Sequence, residues 1–175
     1  GVEVWAWDDA PAARAAAAAG GISVVDLTRA DLARVATFVL SPGIPHTYPA
    51  PHPIVARAKA AGCTILCDVA LLLGARPDAK VVGITGTNGK STVTSLVGAI
   101  LARTGRPTFA GGNLGDPLIA AVDTPAAGPD GHLVVELSSF QLETCAAFRP
   151  AVAALLNVTP DHLDRYPSLD AYVAA

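Results

Sequence analysis

The run VVGITGTNGKST at 81–92 sets an apolar segment, a glycine-rich turn and a Lys-Ser pair in immediate succession. Backbone N–H groups can close around an anion only where side chains are absent, and a helix start adds partial positive charge to the same place. Gly86 and Gly89 permit that wrap, with Thr87 and Asn88 between them. Lys90 would then reach the outer phosphates of a nucleoside triphosphate, while Ser91 or Thr92 would offer a hydroxyl to Mg2+. One departure stands out. The usual spacing asks for glycine five places before Gly89, and Ile84 occupies that position.

The acidic partners of such a loop are scarce. Only Glu3, Glu136 and Glu143 represent glutamate in the whole chain. Glu136 ends the apolar run HLVV and so falls at the carboxyl edge of a buried strand, where open parallel sheets bind ligands. It suits the Mg2+ of a nucleotide, or else caps a helix as a solvated acid. His162, in NVTPDHLD after another apolar run, opens onto the same edge; it could ligate a metal, touch phosphate or simply face water. The turn GGNLG at 111–115 follows a further strand and could present backbone amides and the Asn113 carboxamide to a substrate. The chain has no Gly-x-Ser-x-Gly elbow, zinc helix or Cys-His spacing, so activation by ATP fits better than covalent hydrolysis.

These groups must be positioned by alternating strands and helices. Residues 2–7 read as a strand, Pro11 opens an Ala-rich helix closed by Gly20 and Gly21, and 22–25 and 35–40 read as short buried strands. A helix over 51–61, a strand over 64–67 and an apolar stretch over 69–73 follow. Residues 74–78 are the expected linker, dividing the chain into 1–77 and 78–175. Beyond it come strands at 80–85, 107–110, 133–137 and 152–156, helices over 90–103 and after Ser168, and a turn at 111–113. Such alternation predicts an α/β chain: a Rossmann-like first part, then part of a P-loop ATPase-type parallel sheet covered on both faces. A chain that begins in a strand and stops in a helix reads as a fragment.

Composition narrows the partners. Of 175 residues, 51% are hydrophobic and 15% charged, which excludes disorder, and 12 basic against 15 acidic residues leave no footprint for nucleic acid. No apolar run is long enough for a membrane span, and the opening residues lack the basic leader of a signal peptide. Cys63, Cys67 and Cys145 form no metal-type spacing and read as buried free thiols of a reducing cytosol.

Taken together, GITGTNGKST, GGNLG, VVELSSFQLE and LNVTPDHLDRY resemble the Mur ligases of bacterial peptidoglycan synthesis, with ELSSFQLE pointing to their D-glutamate-adding branch. SPGIP at 41–45 is similar to that family too. The resemblance implies a cytoplasmic, monomeric, ATP- and Mg2+-dependent ligase that joins D-glutamate to UDP-N-acetylmuramoyl-L-alanine through an acyl phosphate. Its ATP loop falls on Gly86, Thr87, Asn88, Gly89, Lys90, Ser91 and Thr92; Lys90, Glu136 and His162 become the catalytic set, with Ser91, Glu136 and His162 about the metal. Asn113 corresponds to a contact of the UDP-sugar, Ser138 and Gln141 to neighbours of the metal and nucleotide, and Asp8 and Gly43 to contacts of the uridine diphosphate. Ala70 departs from the family, where an acidic residue is common. The resemblance further implies that a first strand with a Gly-rich UDP-binding turn precedes residue 1, that an amino-acid-binding domain lies beyond residue 175, and that this piece alone does not turn over. Two alternatives remain: a family member adding another amino acid, and a P-loop switch module without ligase activity.

Overall fold

The structure, a computed structural model, describes residues 2–113 and 115–175. Gly1, at the head of the expected first strand, and Leu114, inside the GGNLG turn, lie outside the described residues. Two parallel sheets organise the chain. The smaller pairs β1 (Thr37–Val39) with β2 (Thr64–Leu66), and the larger has four strands in the order β4-β5-β3-β6. These are β3 (Val81–Thr85), β4 (Thr108–Gly112), β5 (His132–Glu136) and β6 (Val152–Leu155).

The helices are α1 (Pro11–Ala19), α2 (Pro53–Ala60), α3 (Asp68–Ala75), α4 (Lys90–Ala102), α5 (Ser139–Glu143) and α6 (Leu169–Ala174). Strands β5 and β3 lie inside the larger sheet, and a strand buried on both faces reads as a continuous apolar run. Leu133, Val134 and Val135 accordingly have no exposed surface. Ile84 explains its own departure from the P-loop spacing: it is a 1%-exposed core residue of β3, paired in register with Glu136 on one side and Ala154 on the other.

Several expectations change on folding. The runs at 2–7 and 22–25 meet only at a parallel bridge between Ala6 and Val24, because Val2 and Val4 find no cover and stay 91% and 66% exposed. The strand expected over 35–40 shortens to β1. The apolar stretch at 69–73 is the body of α3, and Gly74 and Ala75 of the expected linker continue that helix. Gly111 and Gly112, expected in a turn, extend β4.

Helix α3 packs with the larger sheet. Val69 and Leu72 share one core with Val81, Leu118, Leu133 and Leu137, although they precede residue 77. A smaller cluster around Leu32, Ile54 and Ala58, flanked by Trp5 and Trp7, supports the first sheet. All three cysteines are free and buried. No helix among the described residues is long and apolar enough to cross a membrane.

Candidate functional site

Strands β3, β4, β5 and β6 run parallel, so their carboxyl ends open onto one edge. A cleft of about 460 Å3 lies there. One wall is the loop and helix start from Gly86 to Thr92; the other is Asn113, Glu136 and the segment Ser138 to Phe140. Asp161, His162 and Tyr172 close it on a third side, and Pro42 and Gly43 reach it from the first part of the chain.

The loop takes its course for steric reasons. Gly86 has φ +139°, and a β-carbon on it would press on the Asn157 backbone and the Leu156 side chain at 3.0–3.2 Å. Any side chain there would strain the backbone and push the loop off β6. Gly89 then caps α4, whose first residue is Lys90. The Lys90 ammonium folds back onto the loop, donating to the Gly86 carbonyl at 2.8 Å and the Thr87 carbonyl at 3.0 Å. The cation therefore sits over the mouth of the helix, where an anion would find both a charge and free N–H groups.

Across the cleft, Glu136 is only 3% exposed. Its Oε1 accepts from the Asn113 side-chain amide at 3.2 Å, and among the described residues no basic side chain pairs with it. A buried carboxylate with a single neutral donor is costly, and a bound cation would offset that cost. Asn113 is brought close because Gly112, at φ +122°, lets β4 lie against β5; a β-carbon there would strike the Glu136 carbonyl. No cluster of three or more His, Cys, Asp or Glu able to hold a metal occurs among the described residues. One carboxylate with a neighbouring hydroxyl is the donor set that suits Mg2+ when phosphate and water oxygens complete its shell.

His162 has φ +54°, a left-handed conformation uncommon outside glycine. Its own N–H donates to Asp161 Oδ1 at 2.8 Å, and its ring lies 5.0 Å from that of Phe140. The His162 side chain lines the cleft between Phe140 and Tyr172, whose rings lie 5.0 and 6.0 Å from its own. Phe140 also stacks on Tyr166, with centroids 5.8 Å apart, and the Arg165 guanidinium lies over the Phe140 ring, 4.2 Å from its centroid. Arg165 in turn donates to the Gly43 carbonyl at 3.1 Å, tying SPGIP to this wall.

The residues singled out in the sequence divide by position. Gly43, the whole stretch from Gly86 to Thr92, Asn113, Glu136, Ser138 and His162 line the cleft. Gln141 lies behind it at 1% exposure: Ser138 and Gln141 form a reciprocal capping box at the start of α5, and the Gln141 amide donates to Asp68 at 3.2 Å. Asp8 is not among the cleft residues; it sits before α1, where its carboxylate accepts the Ala10 N–H at 2.8 Å. The sequence reading passed over Phe140, Arg165 and Tyr172 as individual residues. Phe140 and Tyr172 fall in helices of five and six residues, too short for a periodic pattern to mark a face, and nothing near Arg165 in the sequence signals its contacts with Phe140 and Gly43.

A phosphate-loop α/β architecture with an acid ending the neighbouring strand defines the class. Comparison with known proteins narrows it: the Mur ligase middle domain model matches residues 84–175, and the chain belongs to the Mur ligase family. It is 49% identical over 175 residues to the UDP-N-acetylmuramoylalanine--D-glutamate ligase of Paramagnetospirillum magneticum, covering all of this chain and 38% of that protein. The protein of the same name from Rhodospirillum rubrum is 46% identical over 181 residues, covering all of this chain and 37% of its own length. The chain thus spans under two-fifths of the curated relatives it matches. Among solved structures, the UDP-N-acetylmuramate:L-alanyl-gamma-D-glutamyl-meso-diaminopimelate ligase from Neisseria meningitides shares the fold, with TM-score 0.56 and 20% identity over 97% of this chain and 56% of that one.

Proposed function

We propose that this chain supplies the nucleotide-binding and acceptor-binding parts of an ATP- and Mg2+-dependent ligase that adds D-glutamate to UDP-N-acetylmuramoyl-L-alanine in peptidoglycan precursor synthesis. The observation that carries the reading is the opposition, across one cleft, of the Gly86–Thr92 loop and a buried Glu136 that pairs with no basic side chain among the described residues. The names of the relatives supply the substrates. In this reading residues 1–77 hold the sugar nucleotide and 78–175 the triphosphate, and the enzyme works in the cytoplasm as a monomer.

The chemistry follows from the acceptor. A carboxylate resists attack by an amine until one of its oxygens becomes a leaving group, so phosphorylation of the alanyl carboxylate must come first. The D-glutamate amine then adds to the acyl phosphate, and the tetrahedral adduct collapses to the amide with loss of phosphate. Phosphoryl transfer of this kind is chiefly positioning and charge neutralisation. Lys90 supplies a cation beside the outer phosphates, and the N–H groups at the start of α4 hold them. Ser91, Glu136 and His162 would hold Mg2+, which adds further neutralisation of phosphate charge when bound. Asn113 orients the Glu136 carboxylate through its amide. Gly43, kept against the cleft by Arg165, places the SPGIP segment where the diphosphate of the sugar nucleotide would pass.

The test is phosphate release by the full-length protein. Release that requires UDP-N-acetylmuramoyl-L-alanine and D-glutamate together is the expected result. Release that proceeds equally without the sugar nucleotide would overturn the ligase reading in favour of a nucleotide switch. Dependence on a different amino acid would move the protein to another branch of the family.

A further inference from the structure

The nucleotide loop is held from its outer side by one segment that the proposed mechanism does not use. Asn157, two residues beyond the end of β6, meets the loop at four points. Its carbonyl accepts the Thr87 N–H at 3.0 Å. Its side-chain Oδ1 accepts the Asn88 N–H at 2.9 Å, and its Nδ2 donates to the Asn88 carbonyl at 3.0 Å. Its backbone also forms the surface against which Gly86 must remain without a side chain. An amide side chain carries a donor and an acceptor on separate atoms and so satisfies the N–H and the carbonyl of one residue at once, which an ionised carboxylate cannot do. Two residues on, the Thr159 N–H donates to Thr87 Oγ1 at 3.0 Å, and that hydroxyl donates to the Thr159 carbonyl at 3.2 Å.

We infer that Asn157 is a positioning residue that sets the phosphate-accepting shape of the Gly86–Lys90 loop and, with Thr159, fixes its register against the segment carrying His162. The inference rests on the reading that this loop binds a nucleotide. It has a consequence for which groups do the binding. The N–H groups of Thr87 and Asn88 are spent on Asn157, so the phosphates are left to those from Gly89 onward and to Lys90. Without the clamp the loop would be free to turn the Asn88 peptide, and a bound phosphate would have to restore the ordered form at its own expense.

The experiment compares the full-length protein with its Asn157→Ala and Asn157→Asp variants. Binding of Mg-ATP is followed by titration calorimetry, and amide hydrogen exchange is followed over the loop. Asn157→Asp keeps the size and the acceptor for the Asn88 N–H but sets an acceptor against the Asn88 carbonyl. Both variants should bind Mg-ATP about tenfold more weakly, the effect of losing one to two hydrogen bonds. Exchange of the Thr87 and Asn88 amides should accelerate, with the melting temperature and the KM for the sugar nucleotide unchanged. Unaltered Mg-ATP affinity in either variant, with the parent binding normally, overturns the clamp. So does a loss shared by nucleotide and sugar nucleotide with a lowered melting temperature, which would mark Asn157 as a general structural residue. A parent protein that binds no Mg-ATP overturns the nucleotide reading itself, and this role with it.

Discussion

Residues up to Leu66 and residues from Val81 onward both build parallel sheet from short apolar strands, yet they end with different amounts of cover. In the first region β1 leaves Val39 49% exposed, α1 buries none of its residues, and the opening run contributes a single bridge. In the second, Leu133, Val134 and Val135 of β5 are wholly buried between neighbouring strands and covering helices. An alanine-rich helix such as α1 offers little apolar area to a sheet, whereas α3 brings Val69 and Leu72 into the core of the larger one. The first region is joined to the cleft through polar straps: Arg165 to the Gly43 carbonyl and Glu143 to His46 at 3.4 Å. The Gly86–Thr92 loop grows out of β3, which lies beside the wholly buried β5, whereas the SPGIP segment is held to the cleft by hydrogen bonds.

The sharpest way to break the comparison is to remove side chains from matched strands. Leu133→Ala takes a fully buried side chain out of a filled core and should cost about 2–5 kcal/mol of stability. Val39→Ala removes a half-exposed one and should cost under about 1 kcal/mol. Denaturant titration of both variants of the full-length protein measures the difference; equal losses would show that the two sheets are equally enclosed.

Second in size is Lys90→Ala, which isolates the function of the second region from its stability. Among the described residues the Lys90 ammonium bonds the Gly86 and Thr87 carbonyls of its own loop and pairs with no carboxylate, so its removal leaves no buried charge behind. Mg-ATP binding or turnover should fall by about a hundredfold, equivalent to about 2.7 kcal/mol, with the denaturation midpoint nearly unchanged. A variant that unfolds instead would make Lys90 a packing residue.

How much of this was legible in the chain depends on whether the cause is local. The glycine turn into α4 was, because Gly86, Gly89 and a helix start act within a few residues of one another, and the strands at 81–85 and 132–136 were, because two-sided burial leaves an unbroken apolar run. Opening residues 2–7 carry a similar pattern but pair only at the Ala6–Val24 bridge among the described residues, with Trp5 and Trp7 against the smaller core, and pattern alone does not tell a ladder from a bridge. Helix α5 escaped notice because its five residues are too few for a helical period; its signal was the capping box Ser138-x-x-Gln141. Arg165 and Asn157 act on residues 122 and 69 positions away, distances at which no spacing in the sequence can speak.

The smallest expected effect concerns the strap at His46, and it carries a sign that can be checked. His46 is 8% exposed; burial pushes its pKa below the ordinary value of 6.5, the Glu143 carboxylate pulls upward, and Lys59 and Arg165 push down again. Its lowered folded value means that the unfolded chain takes up the proton first. The stability contributed by neutral His46 is therefore fully present above about pH 6.5 and declines as pH falls from there toward the lowered folded value. Replacing it by asparagine removes that dependence while keeping a polar group beside Glu143. Between about pH 7.5 and about pH 5.5 the parent should lose about 1–3 °C more in melting temperature than His46→Asn. Because Glu143 also accepts from the Tyr166 hydroxyl at 3.2 Å and keeps that anchor at either pH, Mg-ATP affinity should stay the same in both proteins across that range. A parallel loss of nucleotide affinity on acidification, absent from the variant, would show that the two regions are coupled through this pair and that the division drawn between them is too strict.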